Sequence, residues 1–192
     1  VTNKAVSFTK GMQEEGVLAC AKHFPGHGDT SKDSHKTLPT IGFKKKRIMD
    51  VELYPYRTLI KEGLASVMIA HLNVPSLESN DNFPSSLSKK IVTGLLKDRL
   101  KFKGLIITDA LGMKGVTSYD KENIDLMAFK AGNDVLLMSG DTNTGISSIV
   151  NAYKSNEISE KRLQHSVKKI LKAKYKVGLN RYKPIDINNL IS

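Results

Sequence analysis

Four short apolar runs recur along the chain, and a loop and a segment of helical periodicity follow each of them. The runs lie at 17–24, 65–72, 104–109 and 134–139. Their hydrophobicity is continuous rather than alternating, which is typical of strands buried on both faces of a parallel sheet. Repeated strand, loop and helix units of this kind predict an α/β fold in which helices cover the sheet.

The helical periodicity predicts where the covering helices lie. Helices are expected at 54–62, 86–100, 121–130, 145–153 and 159–176. Pro55 suits a first helical turn, the serines at the start of 86–100 could cap that helix, and Gly132 and Gly178 stand where two of these helices should end. Four βα units are half of the eight that close a barrel, so the count itself raises the question of completeness.

Composition excludes several classes of protein. With 192 residues and 40% apolar content, the chain is long enough for one domain with a core, and no apolar run approaches the about 20 residues of a membrane span. The formal charge is +11, but the lysines are spread along helical faces and only 44–47 forms a basic run. This pattern favours a solvated basic surface over a nucleic-acid site. Cys20, inside the first run, is predicted to be a buried thiol.

Polar residues end every predicted strand. They are Lys22 and His23, then His71, then Asp109, then Ser139 with Asp141 just beyond. Because the carboxyl ends of parallel strands lie at one edge, these side chains are expected to converge. Asp109 is costly to bury unless it is hydrogen-bonded or used, so it is a candidate nucleophile or base, with a helix N-cap as the alternative. For His23 and His71, a satisfied core histidine remains an alternative.

The loop after the first run holds a dense group of titratable side chains, and 22–35 reads KHFPGHGDTSKDSH. Asp33 and His35 are two residues apart, so in an extended segment they point the same way and the carboxylate can orient the imidazole. The pair predicts His35 as a general acid/base with Asp33 as its partner.

A metal site is the alternative for this loop. His27, Asp29, Asp33 and His35 offer imidazole and carboxylate ligands that suit zinc or non-haem iron, and so a metal-dependent hydrolase. However, the spacing matches no HExxH motif, and the glycines on either side of His27 indicate a tight turn. A non-catalytic half-domain is a third interpretation.

Three motifs together resemble a known family. KHFPGHGDTxxDSHxxLP at 22–39, MIAHLNVP at 68–75 and IITDALGM at 106–113 are similar to the glycoside hydrolase family 3 β-N-acetylhexosaminidases. The resemblance covers about 11–179. The Asp-Ser-His loop separates this branch from the β-glucosidases of the same family, which share the Lys-His pair and take their acid/base from a second domain.

The resemblance implies a role for each matching residue. Asp109 would be the nucleophile of a retaining β-N-acetylglucosaminidase, His35 the acid/base and Asp33 its dyad partner. The resemblance assigns substrate contacts to Lys22, His23, His71 and Met113. It implies a carbohydrate substrate that contains N-acetylglucosamine, no cofactor and no metal. An imidazole does not repel an incoming anion, so phosphate could compete with water as acceptor.

The resemblance also implies a fold, a (β/α)8 barrel of which 1–192 would supply the last four strands. The N-terminal half of the barrel is then the expected partner, encoded by missing upstream sequence, and the isolated chain is expected to be inactive. The natural substrate stays open among peptidoglycan muropeptides, chitin fragments and glycan termini. The compartment also stays open between the cytoplasm and the periplasm or secretion in a bacterium.

Overall fold

A parallel sheet of three strands forms the centre of the molecule, whose computed structural model describes residues 1–28, 30, 37–119 and 123–184. The strands are β1 (Cys20–Phe24), β2 (Ser66–Ile69) and β3 (Leu105–Thr108), in the order β1-β2-β3. β2 and β3 pair without a break in register, whereas the register of β1 against β2 shifts between Ala21 and Phe24. The predicted α/β architecture with a parallel sheet is confirmed.

The fourth apolar run does not form a full strand, and this prediction is wrong. Val135 makes one parallel bridge with Ile107. Beyond it, the Leu137 N–H donates to the Thr108 hydroxyl at 3.0 Å instead of to a backbone carbonyl. Met138 then adopts a φ of 45°. A side-chain acceptor and a left-handed residue end the ladder here, although the run lies alongside β3.

Helices cover the sheet and agree closely with most of the predicted bounds. The α-helices are α1 (Thr2–Glu14), α2 (Lys45–Arg47), α3 (Leu53–Lys61), α4 (Lys114–Thr117), α5 (Ile124–Ala131), α6 (Thr142–Lys154) and α7 (Glu160–Lys176). Ile48–Glu52 and Lys90–Arg99 are π-helical, and Ser85–Leu87 and Leu179–Arg181 are 3₁₀ turns. The sequence did not predict α1, which buries Thr9 and has no side-chain N-cap. Among the described residues, the structure has no helix with the length and apolarity needed to cross a membrane.

Side-chain caps and a left-handed glycine fix the ends of the last two helices. The Asp141 carboxylate accepts from the N–H groups of Asn143 and Thr144 at the start of α6. Ser159 accepts from the Arg162 N–H at the start of α7. Gly178 follows α7 with a φ of 79°, as the sequence predicted.

The main core lies between the sheet and the helices that pack on it, and burial differs between the strands. In β2, Val67 and Ile69 are fully buried. In β1, exposed and half-buried residues alternate before the buried Phe24. Cys20 is exposed, so the prediction of a buried thiol is wrong. The physical reason is that Cys20 lines an open cavity bordered by α1, β1 and α3, whereas Val67 and Ile69 of β2 belong to the core cluster.

Candidate active site

The carboxyl edge of the sheet brings together residues from β1 and β3. The Asp109 N–H donates to the Ile69 carbonyl at 2.8 Å, which places the aspartate directly beyond β3. His23 Nε2 lies 3.6 Å from Asp109 Oδ2. Lys22 is exposed next to His23 in β1. Cis peptide bonds join Lys22 to His23 and Phe24 to Pro25. The structure therefore brings His23 and Asp109 together at this edge.

The two oxygens of the Asp109 carboxylate have different surroundings. Oδ1 accepts from the Ala110 N–H at 2.9 Å, and Oδ2 faces His23. The side chain is 16% exposed. Asp109 is not a helix N-cap, because α4 begins five residues later and Met113 holds its N-cap position. The carboxylate therefore has one oxygen held by the backbone and one directed toward His23.

His71 lies behind this edge rather than on its surface. Its ring has no exposed area, and burial lowers its pKa. Nδ1 is 2.7 Å from the Ser86 hydroxyl, and Nε2 is 3.0 Å from the Ala110 carbonyl. The structure thus shows a satisfied core histidine, the alternative that the sequence left open. Met113 is also buried, at the start of α4.

Ser86 is a residue that the sequence did not place near the site. The serines around 86 suggested helix caps, and no pattern connected them with a histidine fifteen residues upstream. In the structure Ser86 is fully buried and its hydroxyl contacts His71. The spacing of motifs cannot predict such a contact, because the two residues meet only when segments distant in sequence pack together.

The turn after β1 is tight, as its glycines indicated. Gly26 has a φ of 130°, and a Cβ there would lie 2.7 Å from Cβ of Glu52. His27 follows, with Nδ1 2.7 Å from the Thr30 hydroxyl and its ring 5.7 Å from that of His23. A side chain larger than glycine at position 26 would displace this turn from the site.

Several predicted site residues lie outside the described part of the chain. Asp29, Asp33 and His35 are among them, so the acid/base dyad and the metal-ligand set both stay predictions. Among the residues that the structure does describe, no group of three or more His, Cys, Asp or Glu side chains could hold a metal ion.

Ser139 and Asp141, the polar residues after the fourth run, have local structural roles. The Ser139 hydroxyl donates to Asp125 Oδ2 at 2.9 Å, and burial raises the pKa of Asp125. Asp141 caps α6. The structure therefore does not join either residue to the pair formed by His23 and Asp109.

A cavity of about 540 Å³ adjoins the candidate site on the outer side of β1. Its lining comes from α1, β1, the turn after β1, and α3, and includes Cys20, Lys22, His23 and His27. The exposed side of β1 therefore borders a partly apolar space that reaches His23.

Comparison with known proteins gives consistent results. The family model described as the glycosyl hydrolase family 3 N-terminal domain matches residues 1–173. Beta-hexosaminidase A of Pseudoalteromonas piscicida is 29% identical over 197 residues, which is 92% of this chain and 33% of that protein. A beta-hexosaminidase of Neisseria meningitidis serogroup C is 34% identical over 140 residues, 72% of this chain and 38% of that protein.

The solved structures include a family 3 β-N-acetylglucosaminidase from Paenibacillus sp. str. FPU-7. It superimposes with a TM-score of 0.89 at 32% identity, over 97% of this chain and 37% of that one. The chain thus spans between a third and two fifths of the length of these relatives.

Proposed function

The chain belongs to glycosyl hydrolase family 3, and from this premise we propose that it supplies the nucleophile and acid/base of a retaining β-N-acetylglucosaminidase. The substrate is a glycan or peptidoglycan fragment that ends in β-linked N-acetylglucosamine. The observation that carries the proposal is the carboxylate of Asp109, 16% exposed at the strand end with one oxygen 3.6 Å from His23.

The proposed reaction has two steps with inversion at each, and so retains configuration. In the first, a carboxylate oxygen of Asp109 bonds to the anomeric carbon while the bond to the leaving oxygen breaks, and His35 gives that oxygen its proton. In the second, His35 takes a proton from water, whose oxygen bonds to the anomeric carbon as the ester to Asp109 breaks. Asp33 holds the imidazole, and Lys22 and His23 bind sugar hydroxyls.

The geometry of the described residues supports the proposal that Asp109 is the nucleophile. A nucleophilic carboxylate needs a fixed position and an oxygen that is not occupied by strong hydrogen bonds. Asp109 meets both conditions, because the backbone holds Oδ1 and Oδ2 faces a histidine instead of a backbone N–H. Lys22 adds a positive charge beside the site, which suits the binding of electron-rich hydroxyl groups.

We further propose that preceding βα units of the same natural protein complete the site as the first half of a (β/α)8 barrel. β1 exposes alternate side chains and borders a cavity of about 540 Å³. An edge strand with an open flank pairs readily with another strand. The greater length of the relatives is consistent with this proposal. In this arrangement the 192 residues alone are inactive.

Covalent trapping tests the proposed reaction in the complete natural protein that carries this chain. A fluorinated N-acetylglucosaminyl fluoride, whose enzyme ester hydrolyses slowly, should label one peptide, and mass spectrometry should place the sugar on Asp109. The D109N variant is the control and should stay unlabelled. Labelling of a different residue, or an active protein that never becomes labelled, contradicts the proposal.

The same preparation tests the acceptor. With an aryl β-N-acetylglucosaminide in phosphate buffer, a hydrolase releases free N-acetylglucosamine and a phosphorylase releases the sugar 1-phosphate. We expect the free sugar to be the main product, with phosphate as a competing acceptor at high concentration. ³¹P NMR distinguishes the two products directly.

A further inference from the structure

We propose that His71 and Ser86 are positioning residues for the nucleophile and that, by holding Ala110, they leave Oδ2 of Asp109 as the attacking oxygen. The inference rests on the proposed function of Asp109. It gives His71 a role without contact to the sugar, which its complete burial favours.

The hydrogen bonds define the tautomer of His71. A carbonyl oxygen only accepts, so His71 Nε2, 3.0 Å from the Ala110 carbonyl, carries the proton and donates it. In the neutral ring Nδ1 then has a free lone pair, and it accepts from the Ser86 hydroxyl at 2.7 Å. Burial lowers the pKa of His71 and keeps the ring in this neutral form.

The chain of contacts ends at the nucleophile. His71 holds the Ala110 carbonyl, and the Ala110 N–H donates to Asp109 Oδ1 at 2.9 Å. The next residue is also fixed, because the Leu111 N–H donates to the Leu137 carbonyl at 2.9 Å. The Ala110–Leu111 peptide is thus held through both its carbonyl and its N–H, which fixes Ala110 and keeps its own N–H directed at Oδ1 of Asp109. Oδ2, which faces His23 at 3.6 Å, is the oxygen that remains for attack.

The other end of the chain is anchored in the protein interior. Ser86 is fully buried, and its carbonyl accepts from Asn133 Nδ2 at 2.8 Å. The same amide nitrogen donates to the Ala128 carbonyl, in the last turn of α5, at 2.7 Å. Ser86 therefore lies in a fixed place, and so does the imidazole that it orients. A misplacement of about 1 Å at a reacting group can cost about 10²-fold in rate.

Two variants of similar size separate this role from simple packing. In H71Q the amide nitrogen can occupy the place of Nε2 and keep the donor to Ala110, whereas in H71N it lies near Nδ1 and that donor is lost. In the complete natural protein, we expect kcat toward an aryl β-N-acetylglucosaminide to fall about 10²-fold in H71N and about 10-fold or less in H71Q. KM should change little in either, because the groups that bind the sugar remain.

The control is the urea midpoint of both variants, which should fall by similar amounts, since both replace a buried ring with a smaller amide. S86A, which keeps the imidazole, should also lower kcat rather than raise KM. If H71Q and H71N lose kcat equally at equal stability, or if S86A leaves kcat unchanged, the positioning proposal is wrong.

A spectroscopic measurement on the unmodified protein gives a second test that does not depend on any variant folding. ¹⁵N chemical shifts of the His71 imidazole should show a neutral ring protonated at Nε2. Protonation at Nδ1 would overturn the proposal. If the complete natural protein without substitutions does not hydrolyse the glycoside, the proposed function itself fails, whereas full activity with unaffected variants contradicts the positioning role alone.

Discussion

Two aspartates at opposite ends of the sheet show how differently one side chain can be used. Asp134 lies at the amino end, where its side chain has no exposed surface. Its carboxylate accepts from the Ile106 N–H at 3.0 Å, from the Ser166 hydroxyl at 2.6 Å and from the Lys169 ammonium. Asp109 lies at the carboxyl end, 16% exposed, with one backbone donor at 2.9 Å and His23 at 3.6 Å.

The difference lies in how completely each carboxylate is satisfied. Asp134 has strong donors on both oxygens and ties β3 to α7, so it stabilises the fold and has no oxygen left for a substrate. Arg162 of α7 reinforces this end by donating to the carbonyls of Phe129 and Asn133 at 2.8 and 2.6 Å. Asp109 has an oxygen without a strong donor among its described contacts. An incompletely satisfied carboxylate at a strand end is therefore the stronger candidate for chemistry.

D109N should produce the largest effect and should affect activity rather than stability. An amide is a poor nucleophile, so we expect kcat in the complete natural protein to fall roughly 10⁴-fold or more. The free energy of unfolding should change by about 0.5 kcal/mol or less, because the amide can keep the contact with Ala110. Steady-state kinetics and urea denaturation measure the two quantities. A large loss of stability with little loss of kcat would mean that Asp109 stabilises the fold and is not the nucleophile.

D134A should show the opposite behaviour. Removal of this carboxylate leaves the largely enclosed Lys169 ammonium and the buried Ser166 hydroxyl without this acceptor, so we expect the free energy of unfolding to fall by about 3–5 kcal/mol. E157A is the matched control, since it breaks the exposed ion pair with Lys130 and should cost at most about 1 kcal/mol. Urea denaturation of the complete protein compares them. Equal losses would remove the distinction between the two ends of the sheet.

The sequence was sufficient to predict the architecture and the edge that carries the candidate site. Continuous apolar runs indicate parallel strands, and the geometry of a parallel sheet then brings His23 and Asp109 together. The exposure of Cys20 could not be predicted in the same way. A run such as 17–24 has the composition of a buried strand, but burial depends on which strands lie beside it, and sequence periodicity does not contain that information.

Contacts between segments distant in sequence also could not be predicted from the sequence. The bond from His71 to Ser86 depends on where the turn 85–87 lies against β2, and the serine pattern alone favoured a helix cap. Asp141 shows the reverse case, because its position after an apolar run suggested a site residue and the structure uses it to cap α6. For both residues, the identity of the hydrogen-bond partner decides the role.

Lys97 provides the smallest and most specific test of the amino end. Its ammonium donates to the Gly132 carbonyl, and burial lowers its pKa from 10.5 to about 8, with Arg162 and Lys169 adding repulsion and Asp134 opposing it. Between pH 8 and 10.5 the unfolded chain thus binds more protons at Lys97 than the folded protein does. The contribution of this group to stability therefore rises with pH across that window.

The difference in the free energy of unfolding between the unmodified protein and K97M isolates this contribution from all other titrating groups. We expect the difference to shift in favour of the unmodified protein by about 1–2 kcal/mol from pH 8 to pH 10.5, a value reduced for partial solvent screening. K168M, which removes an exposed lysine of α7, should show a much smaller shift. Equal shifts in K97M and K168M would mean that the cations around Asp134 are as well solvated as those on the surface. The conclusion that polar groups at the amino end of the sheet are buried and fully hydrogen-bonded, unlike those at the carboxyl end, would then depend on Asp134 alone.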